Sequence, residues 1–181
     1  MSIVTPGTWH LDPTHTEIGF SVRHLMSKVR GTFESFNGTL VTAEDVTAST
    51  VSVEVELSSI NTGAADRDTH LRGGDFFDVE SNPKMTFATT GVTATSDTEF
   101  VVTGDLTIKG VTRPLDLAVE FLGEGKDPWG GTRVGVEATG QISRKEFGID
   151  FNIPLEGDKV MIGDKITITI NAEAVLAADE A

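Results

Sequence analysis

The chain lacks cysteine, has little positive charge and contains no long apolar run. Without cysteine, its 181 residues can form no disulfide, thiolate nucleophile or cysteine-ligated zinc site. Fourteen lysines and arginines face 28 acidic residues, and the resulting net charge of −14 repels nucleic acid and anionic membrane surfaces. No segment is long and apolar enough to span a bilayer, and the opening MSIVTPGTWHLD has no leader-like pattern. We therefore expect a cytoplasmic protein with no nucleic-acid partner and no stable membrane insertion.

The motifs of several common enzyme classes are also missing. The sequence contains no Gly-x-Ser-x-Gly, no His-Glu-x-x-His, no Gly-x-Gly-x-x-Gly and no phosphate-binding loop. Asp66 and His70 are four residues apart and could share a helix face, but no third metal ligand is placed by spacing. We expect no catalytic residue, no metal and no cofactor. A metal-dependent or acid–base enzyme using His24, His70 and Asp66 is kept as an alternative.

The most frequent pattern in the sequence is the alternation of apolar and polar residues. Each alternating segment places its apolar side chains on one face, which is typical of antiparallel sheets with one wet and one dry side. The apolar faces are Ile18, Phe20, Val22 and His24; Val51, Val53, Val55 and Leu57; Phe100, Val102, Gly104, Leu106 and Ile108; Leu115, Leu117, Val119 and Phe121; Val134, Val136, Ala138, Gly140 and Ile142; and Ile166, Ile168 and Ile170. With the shorter candidates TWHL, GTFESFNGTLV and KMTFATTGV, the pattern predicts eight or nine strands.

Glycines and turn pairs indicate how these strands connect and curl. Asn37-Gly38 and Lys109-Gly110 are typical of short turns. Gly104, Gly135 and Gly140 fall inside strand patterns, where glycine often marks a bend or bulge. About eight curled antiparallel strands favour a closed barrel, with a two-sheet sandwich as the alternative. A barrel of this size either fills its interior with side chains or holds one small ligand.

The stretch ADRDTHLRGGDFFDV interrupts the alternation with dense charge. It predicts one short helix near residues 64–72, with Gly63 before it and Gly73 after it. Asp68 and Arg72 are four apart and are expected to pair on its surface. Two helical turns are marginal alone, so the helix is expected to dock on the barrel.

Phe76 and Phe77 follow the helix directly. Leaving them in water would forgo roughly 1.5–3 kcal/mol for each side chain. The helix and the two rings are therefore expected to cover one mouth of the barrel. His24 ends an apolar stripe, where it is either a half-buried histidine with a backbone partner or a polar contact at the end of a pocket.

Four blocks of the sequence are similar to one known family. The blocks are WHLDPTHTEIGFSVRHLMSKVRGTFESFNGTL, SSINTGAADRDTHLRGGDFFDVESNPKMTF, GDLTIKGVTRPLDL and ISRKEFGI, in order from Trp9 to about Ile149. Together they resemble the YceI-like family of polyisoprenoid-binding proteins. The chain departs from many relatives in showing no leader and in placing Asn82 before Pro83, where an aromatic residue is common.

The resemblance implies a fold and a set of contact residues. It implies one YceI-like lipid-binding domain over residues 1–181, an extended lipocalin-like all-β antiparallel barrel of about eight strands. Its interior is expected to hold a polyisoprenoid or another long-chain lipid for carriage, storage or sequestration, with a link to stress. The expected ligand contacts are Ile18, Phe20, Val22, His24, Phe33, Phe36, Val53, Val55, Phe76, Phe77, Phe87, Leu106 and Ile108. The motif residues Arg67, Asp68, His70 and Leu71 are expected to serve the architecture.

Two alternatives to a lipid-binding protein stay open at this point. One is the enzyme described above, and the other is a ligand-free structural barrel that acts through partners. A homodimer is compatible with all three interpretations, and the sequence does not choose among them.

Overall fold

Eleven strands, one α-helix and three short 3₁₀ helices make up the regular structure of the described residues. The computed structural model describes residues 3–157 and 159–178. The strands are β1 Gly7–Leu11, β2 Glu17–His24, β3 Ser27–Phe33, β4 Phe36–Thr42, β5 Thr50–Glu56, β6 Ile60–Asn61, β7 Lys84–Ala94, β8 Glu99–Ile108, β9 Val111–Lys126, β10 Thr132–Ser143 and β11 Ile162–Leu176. The helix, α1, spans Ala65–Arg72.

Eight of the strands close into an antiparallel barrel. Their order is β1-β4-β5-β7-β8-β9-β10-β11, and β1 closes the ring by pairing with both β4 and β11. β11 is long enough to pair also with β2, which continues to β3 and β6. The predicted barrel is therefore confirmed, and the two-sheet sandwich is wrong.

Inward and outward faces follow the predicted alternation. In β8, Phe100, Val102, Leu106 and Ile108 are all buried, while the intervening side chains face solvent or are half-buried. The opposing residues of β9 repeat the pattern. Because successive strand residues point to opposite faces, one dry surface lines the whole interior.

Glycines shape the wall where large rings lie against it. The β9–β10 ladder shifts register between Gly135 and Val136, which confirms the bulge expected there. A Cβ on Gly104 would lie 2.4 Å from Phe87 Cζ, and one on Gly31 would lie 2.5 Å from Phe20 Cζ. These glycines therefore let the two rings lie close to the neighbouring strand.

One predicted turn is confirmed and another is wrong. Lys109 and Gly110, with φ of 54° and 74°, form the two-residue connection between β8 and β9. Asn37-Gly38 instead lies inside β4, paired with β5. A Cβ on Gly38 would lie 2.6 Å from Leu11 Cδ1, so this glycine makes room for a neighbouring side chain rather than a reversal. The candidate strand GTFESFNGTLV likewise divides into β3 and β4.

The helix has the predicted place in the chain, but its charged side chains Asp68 and Arg72 have other partners than predicted. Asp68 is buried, and its Oδ1 accepts hydrogen bonds from the Thr62 backbone N–H (2.8 Å) and hydroxyl. Arg72 donates to the carbonyls of Ser58 (2.9 Å) and Ile60 (3.2 Å). The predicted surface pair between Asp68 and Arg72 is wrong, because each side chain holds the segment before the helix.

The barrel end opposite the helix is closed by a tryptophan. Trp9 is completely buried, and its indole N–H donates to Thr42 Oγ1 at 2.9 Å. Thr42 in turn donates to the Thr5 carbonyl at 2.7 Å. Val4, Val134 and Ala174 pack around the indole. We call this part of the molecule the Trp9 end, and the part covered by α1 the helix end.

Candidate lipid-binding cavity

The barrel encloses one long apolar cavity. It has a volume of about 490 Å³, and its lining extends from Val4 at the Trp9 end to Phe151 at the helix end. Binding pockets for small ligands commonly have volumes of this order and predominantly apolar linings. The polar residues of the lining are few: His24, Thr42, Ser49, Arg67, His70, Thr86 and Arg144. The cavity is thus chemically suited to an aliphatic chain.

The structure brings nearly all of the predicted contact residues to this cavity. Its lining includes Ile18, Phe20, Val22, His24, Phe33, Val53, Val55, Phe76, Phe77, Phe87, Leu106 and Ile108. Phe36 does not line it and packs instead against the cluster of Val55, Leu57 and Ile60. Arg67, His70 and Leu71 lie on the lining, whereas Asp68 does not. The ligand-binding role of these residues stays a prediction.

Aromatic contacts hold the cover of the helix end. Phe76 is buried, and its ring lies 5.0 Å from the His70 ring and 5.3 Å from the Phe151 ring, measured between centroids. His70 and Phe151 are 5.2 Å apart, so the three rings form a closed triangle. The triangle joins α1, the residues that follow it and the connection between β10 and β11. Such edge-to-face contacts are worth about 0.5–1.5 kcal/mol each beyond burial.

The cavity reaches the protein surface at the helix end. Among the lining residues that the structure describes, the exposed ones are Arg67, His70 and Ile153. All three lie on α1 or on the segment between β10 and β11. The lining residues at the Trp9 end, including Leu40, Thr42 and Val134, are buried or half-buried. We call the opening beside Arg67, His70 and Ile153 the mouth.

Arg144 is a buried cation in the cavity wall, and it organises the segment beside the mouth. Its guanidinium donates to the carbonyls of Ile149 (2.9 Å), Phe151 (2.8 Å), Ile162 (3.3 Å) and Gly163 (2.9 Å). Burial lowers the pKa of Arg144 from its usual value, although the charges of nearby acidic residues oppose the shift. An arginine keeps its proton in this setting, so the wall carries a positive charge.

Sequence reasoning missed the role of Arg144. It lies in the polar run 143–146, where nothing local distinguishes it from the exposed Lys145 and Glu146. Only the folded connection brings four carbonyl groups to its guanidinium. A signal was available in the ISRKEFGI block, which the family resemblance singled out without assigning a role to its arginine.

The base of α1 is fixed by charge-assisted hydrogen bonds. Burial works to raise the pKa of Asp68, but hydrogen bonds from Thr62 and the charges of Arg72 and Arg67 outweigh it, so the pKa is lowered. Arg67 donates from Nε to the Thr62 hydroxyl and from Nη2 to the Thr62 carbonyl, both at 2.7 Å. Asp68 thus connects α1 to the residue Thr62 before it, and the architectural role of this motif stays a prediction.

Of the three residues of the enzyme alternative, His24 and His70 line the cavity and Asp66 does not. His70 Nε2 lies 2.8 Å from an Asp75 carboxylate oxygen, and Asp66 is exposed. Among the described residues, the group of three side chains close enough to share a metal ion is Asp12, His15 and Glu173, outside the cavity.

That group already has a cation in place. Arg133 Nη1 donates to Asp12 at 2.7 Å and to Glu173 at 3.3 Å. The hydrogen bond from Arg133, followed by those from His15 and Thr14, lowers the pKa of Asp12 well below its usual value. The carboxylates of Asp12 and Glu173 thus form ion pairs with the Arg133 guanidinium, and the group is a structural ion-pair network.

Sequence and structure comparisons agree on one family. A model of the YceI-like domain matches residues 9–174. The chain is 42% identical over 137 residues to Protein YceI of Escherichia coli O157:H7, covering 75% of this chain and 71% of that protein. It is 41% identical over 168 residues to UPF0312 protein SERP2314 of Staphylococcus epidermidis, covering 91% of this chain and 95% of that protein.

Solved structures show the same barrel. The YCEI protein of Campylobacter jejuni superposes with a TM-score of 0.73 at 29% identity, covering 98% of this chain and 100% of that one. A polyisoprenoid binding domain from Saccharophagus degradans has a TM-score of 0.71 at 15% identity, covering 96% of this chain and 100% of that one. Within the described ranges, no helix has the length and apolar character needed to cross a membrane.

Proposed function

Because the chain belongs to the YceI-like family, we propose that it is a non-catalytic protein that binds a polyisoprenoid or a similar long-chain amphiphilic lipid inside its barrel. The observation that carries the proposal is the apolar cavity that extends between the two ends and opens beside Arg67, His70 and Ile153. A relative of the same fold is described as a polyisoprenoid binding domain, which supports this lipid class.

The physical driving force is the removal of an aliphatic chain from water. Each buried CH₂ group contributes about 0.8 kcal/mol, and immobilising a flexible chain offsets part of that gain. Because the lining is almost entirely apolar, it discriminates poorly among chains of similar width. Selectivity then depends on the width of the cavity and on the few polar groups that contact the lipid's head.

Those polar groups favour one orientation of the lipid. Arg67, His70, His24 and Arg144 all belong to the helix end of the lining. Their positive and hydrogen-bonding atoms suit a phosphate, carboxylate or hydroxyl head group, while the chain extends toward Trp9. A reversed lipid would place its head beside Val4, Val134 and Ala174, where desolvation of the polar head would be costly.

Native mass spectrometry of the protein as purified, followed by solvent extraction and lipid identification, tests the proposal. We expect a stoichiometric adduct that extracts as a polyprenyl lipid or a similar amphiphile. Ala138→Phe, which adds a ring to the cavity wall, should reduce the adduct, because Ala138 is buried on the lining. Ala118→Phe is the matched control, since Ala118 lies on the adjacent strand and faces solvent.

A bare mass that stays unchanged after incubation with polyprenyl lipids would contradict the proposal and favour a ligand-free barrel. Turnover of an added lipid would contradict its non-catalytic part. The cytoplasmic location and the homodimer stay predictions, which cell fractionation and light scattering test.

A further inference from the structure

The tip of the β2–β3 hairpin combines exposed apolar side chains with an absence of acidic residues. It exposes apolar side chains: Met26 is 98% exposed and Leu25 is 51% exposed. It is also free of negative charge, because residues 18–33 contain no Asp or Glu in a chain that has 28. The same residues include Arg23, Lys28 and Arg30, whose side chains are exposed.

Two of these cations lie side by side. Arg23 and Lys28 are direct cross-strand partners, and neither forms an ion pair with a residue that the structure describes. Like charges opposite each other destabilise a sheet. Leu25 adds a further cost, since its φ of 54° lies in the left-handed region that a non-glycine residue rarely occupies. The fold therefore maintains an apolar tip flanked by paired cations at the expense of stability.

The tip is also connected to the mouth. The Leu25 N–H donates to the Met161 carbonyl at 2.9 Å, and the Met161 N–H donates to the Ile153 carbonyl at 3.1 Å. His24, Met161 and Ile153 all line the cavity. Backbone hydrogen bonds thus join the tip of the hairpin to residues that line the cavity beside the mouth.

Charge is distributed unequally along the barrel. The β9–β10 hairpin near Trp9 carries two cations, Lys126 and Arg133, and Arg133 is neutralised by Asp12, Asp127 and Glu173. Glu99, Glu120 and Glu124 add to the negative charge of that end. Although the net charge of −14 repels an anionic surface from the molecule as a whole, the hairpin is a local patch without acidic residues that such a surface attracts.

We propose that the β2–β3 hairpin tip docks the mouth on the surface of a phospholipid bilayer that contains anionic lipid. Leu25 and Met26 enter the headgroup region, while Arg23 and Lys28 contact lipid phosphates. Basic side chains near a membrane surface each add to the attraction, and apolar side chains add through their burial. Docking here gives a lipid a path from the bilayer into the cavity that avoids water. The inference rests on the proposed lipid-binding function for its purpose.

Vesicle flotation tests docking directly. The full chain is mixed with phosphatidylcholine vesicles with or without phosphatidylglycerol, and the protein that floats is measured. We expect binding that increases with phosphatidylglycerol and decreases with salt. Met26→Asp, and separately Arg23→Glu with Lys28→Glu, should each weaken binding by about tenfold or more. Trp129→Asp is the matched control, because Trp129 is 81% exposed in the loop between β9 and β10 at the Trp9 end.

A second measurement locates the contact. Met26→Trp in a Trp129→Phe background should show a blue-shifted emission when vesicles are added, because the new indole leaves water. Equal flotation of all variants, no flotation of the parent, or a loss caused by Trp129→Asp would each overturn the proposal. A parent dimer in light scattering that Met26→Asp dissociates without vesicles would also overturn it, in favour of a second copy as the partner.

The failure of this proposal is distinguishable from failure of the proposed function. Native mass spectrometry of the same preparations reports whether lipid occupies the cavity, whatever the result of flotation. A protein whose cavity holds lipid but which does not float with vesicles would contradict the docking proposal alone. A protein that floats but whose cavity holds no lipid would contradict the proposed lipid-binding function and would still support the docking surface.

Discussion

The two ends of the barrel are closed in different ways. At the Trp9 end, β1 hydrogen-bonds to both β4 and β11, and a fully buried indole lies inside the completed ring. At the helix end, α1 and the segment between β10 and β11 cover the opening through side-chain contacts such as the His70, Phe76 and Phe151 triangle. Closure by strand pairing opens only when the barrel unfolds, whereas closure by side chains can open locally.

Because of this difference, we expect the two ends to contribute differently to the stability of the fold and to the exchange of lipid. The Trp9 end is expected to report global unfolding. The helix end is expected to open at lower free energy and to control how the lipid enters and leaves. The following predictions are arranged from the largest expected loss of stability to the smallest.

Trp9→Ala should reduce the free energy of unfolding by about 3–5 kcal/mol, because it leaves a large cavity inside the closed ring. Trp129→Ala is the control and should change the free energy of unfolding by less than about 0.5 kcal/mol, since Trp129 is mostly exposed. Urea denaturation followed by circular dichroism measures both. A loss of under about 1 kcal/mol for Trp9→Ala would show that the ring closes without its tryptophan.

Gly31→Val should reduce lipid binding and cost about 1–3 kcal/mol of stability. A Cβ on Gly31 would lie 2.5 Å from Phe20 Cζ, so the ring, which lines the cavity, must shift. Gly91→Ala is the control, because a Cβ there meets nothing within 4 Å and its φ is not positive. Lipid stoichiometry by native mass spectrometry should decrease for Gly31→Val alone, and equal stoichiometry would mean that the wall relaxes outward instead.

Asp68→Asn should cost about 1–2 kcal/mol at neutral pH, because Thr62 loses its charged partner. The pKa of Asp68 is lowered in the folded state, so its contribution is present above the unfolded value of about 3.9 and is lost as pH decreases below it. The variant should therefore lose less stability on acidification than the parent. Asp66→Asn, an exposed neighbour, should follow the parent, and identical acid profiles for all three proteins would contradict the account.

Phe151→Leu, which keeps an apolar side chain but removes the ring, should cost less than about 1.5 kcal/mol of stability but accelerate lipid release several-fold. Phe151 contributes two of the three ring contacts that hold the cover of the helix end. The rate is measured as transfer of a fluorescent polyprenyl lipid to acceptor vesicles. Unchanged release would mean that the lipid leaves by another route.

Much of the barrel could be predicted from alternation alone. The inward faces of β8 and β9 appear in the sequence as strict period-two patterns, because each strand has one dry side. Asn37-Gly38 was misleading because the same dipeptide that forms turns also permits close packing, here against Leu11. Distinguishing the two requires the partner strands, which are distant in the sequence.

The contacts at the mouth could be predicted less well from the sequence than the inward-facing residues of the barrel strands. Phe76 and Phe77 follow a short polar helix and need a surface to pack on, and both line the cavity. The contacts of Phe151 with His70 and of Arg144 with four carbonyls join segments that are widely separated in the chain or carry no local pattern. Such contacts depend on the tertiary arrangement of the ends, which alternation does not encode.

Hydrogen–deuterium exchange of delipidated protein, with and without a polyprenyl phosphate, tests most directly whether the lipid lies in the barrel with its head at the helix end. The account predicts slower exchange on loading in residues 65–79 and 149–162, with little change at residues 39–42 near Trp9. Protection confined to the Trp9 end, or no protection anywhere despite measured binding, would contradict it.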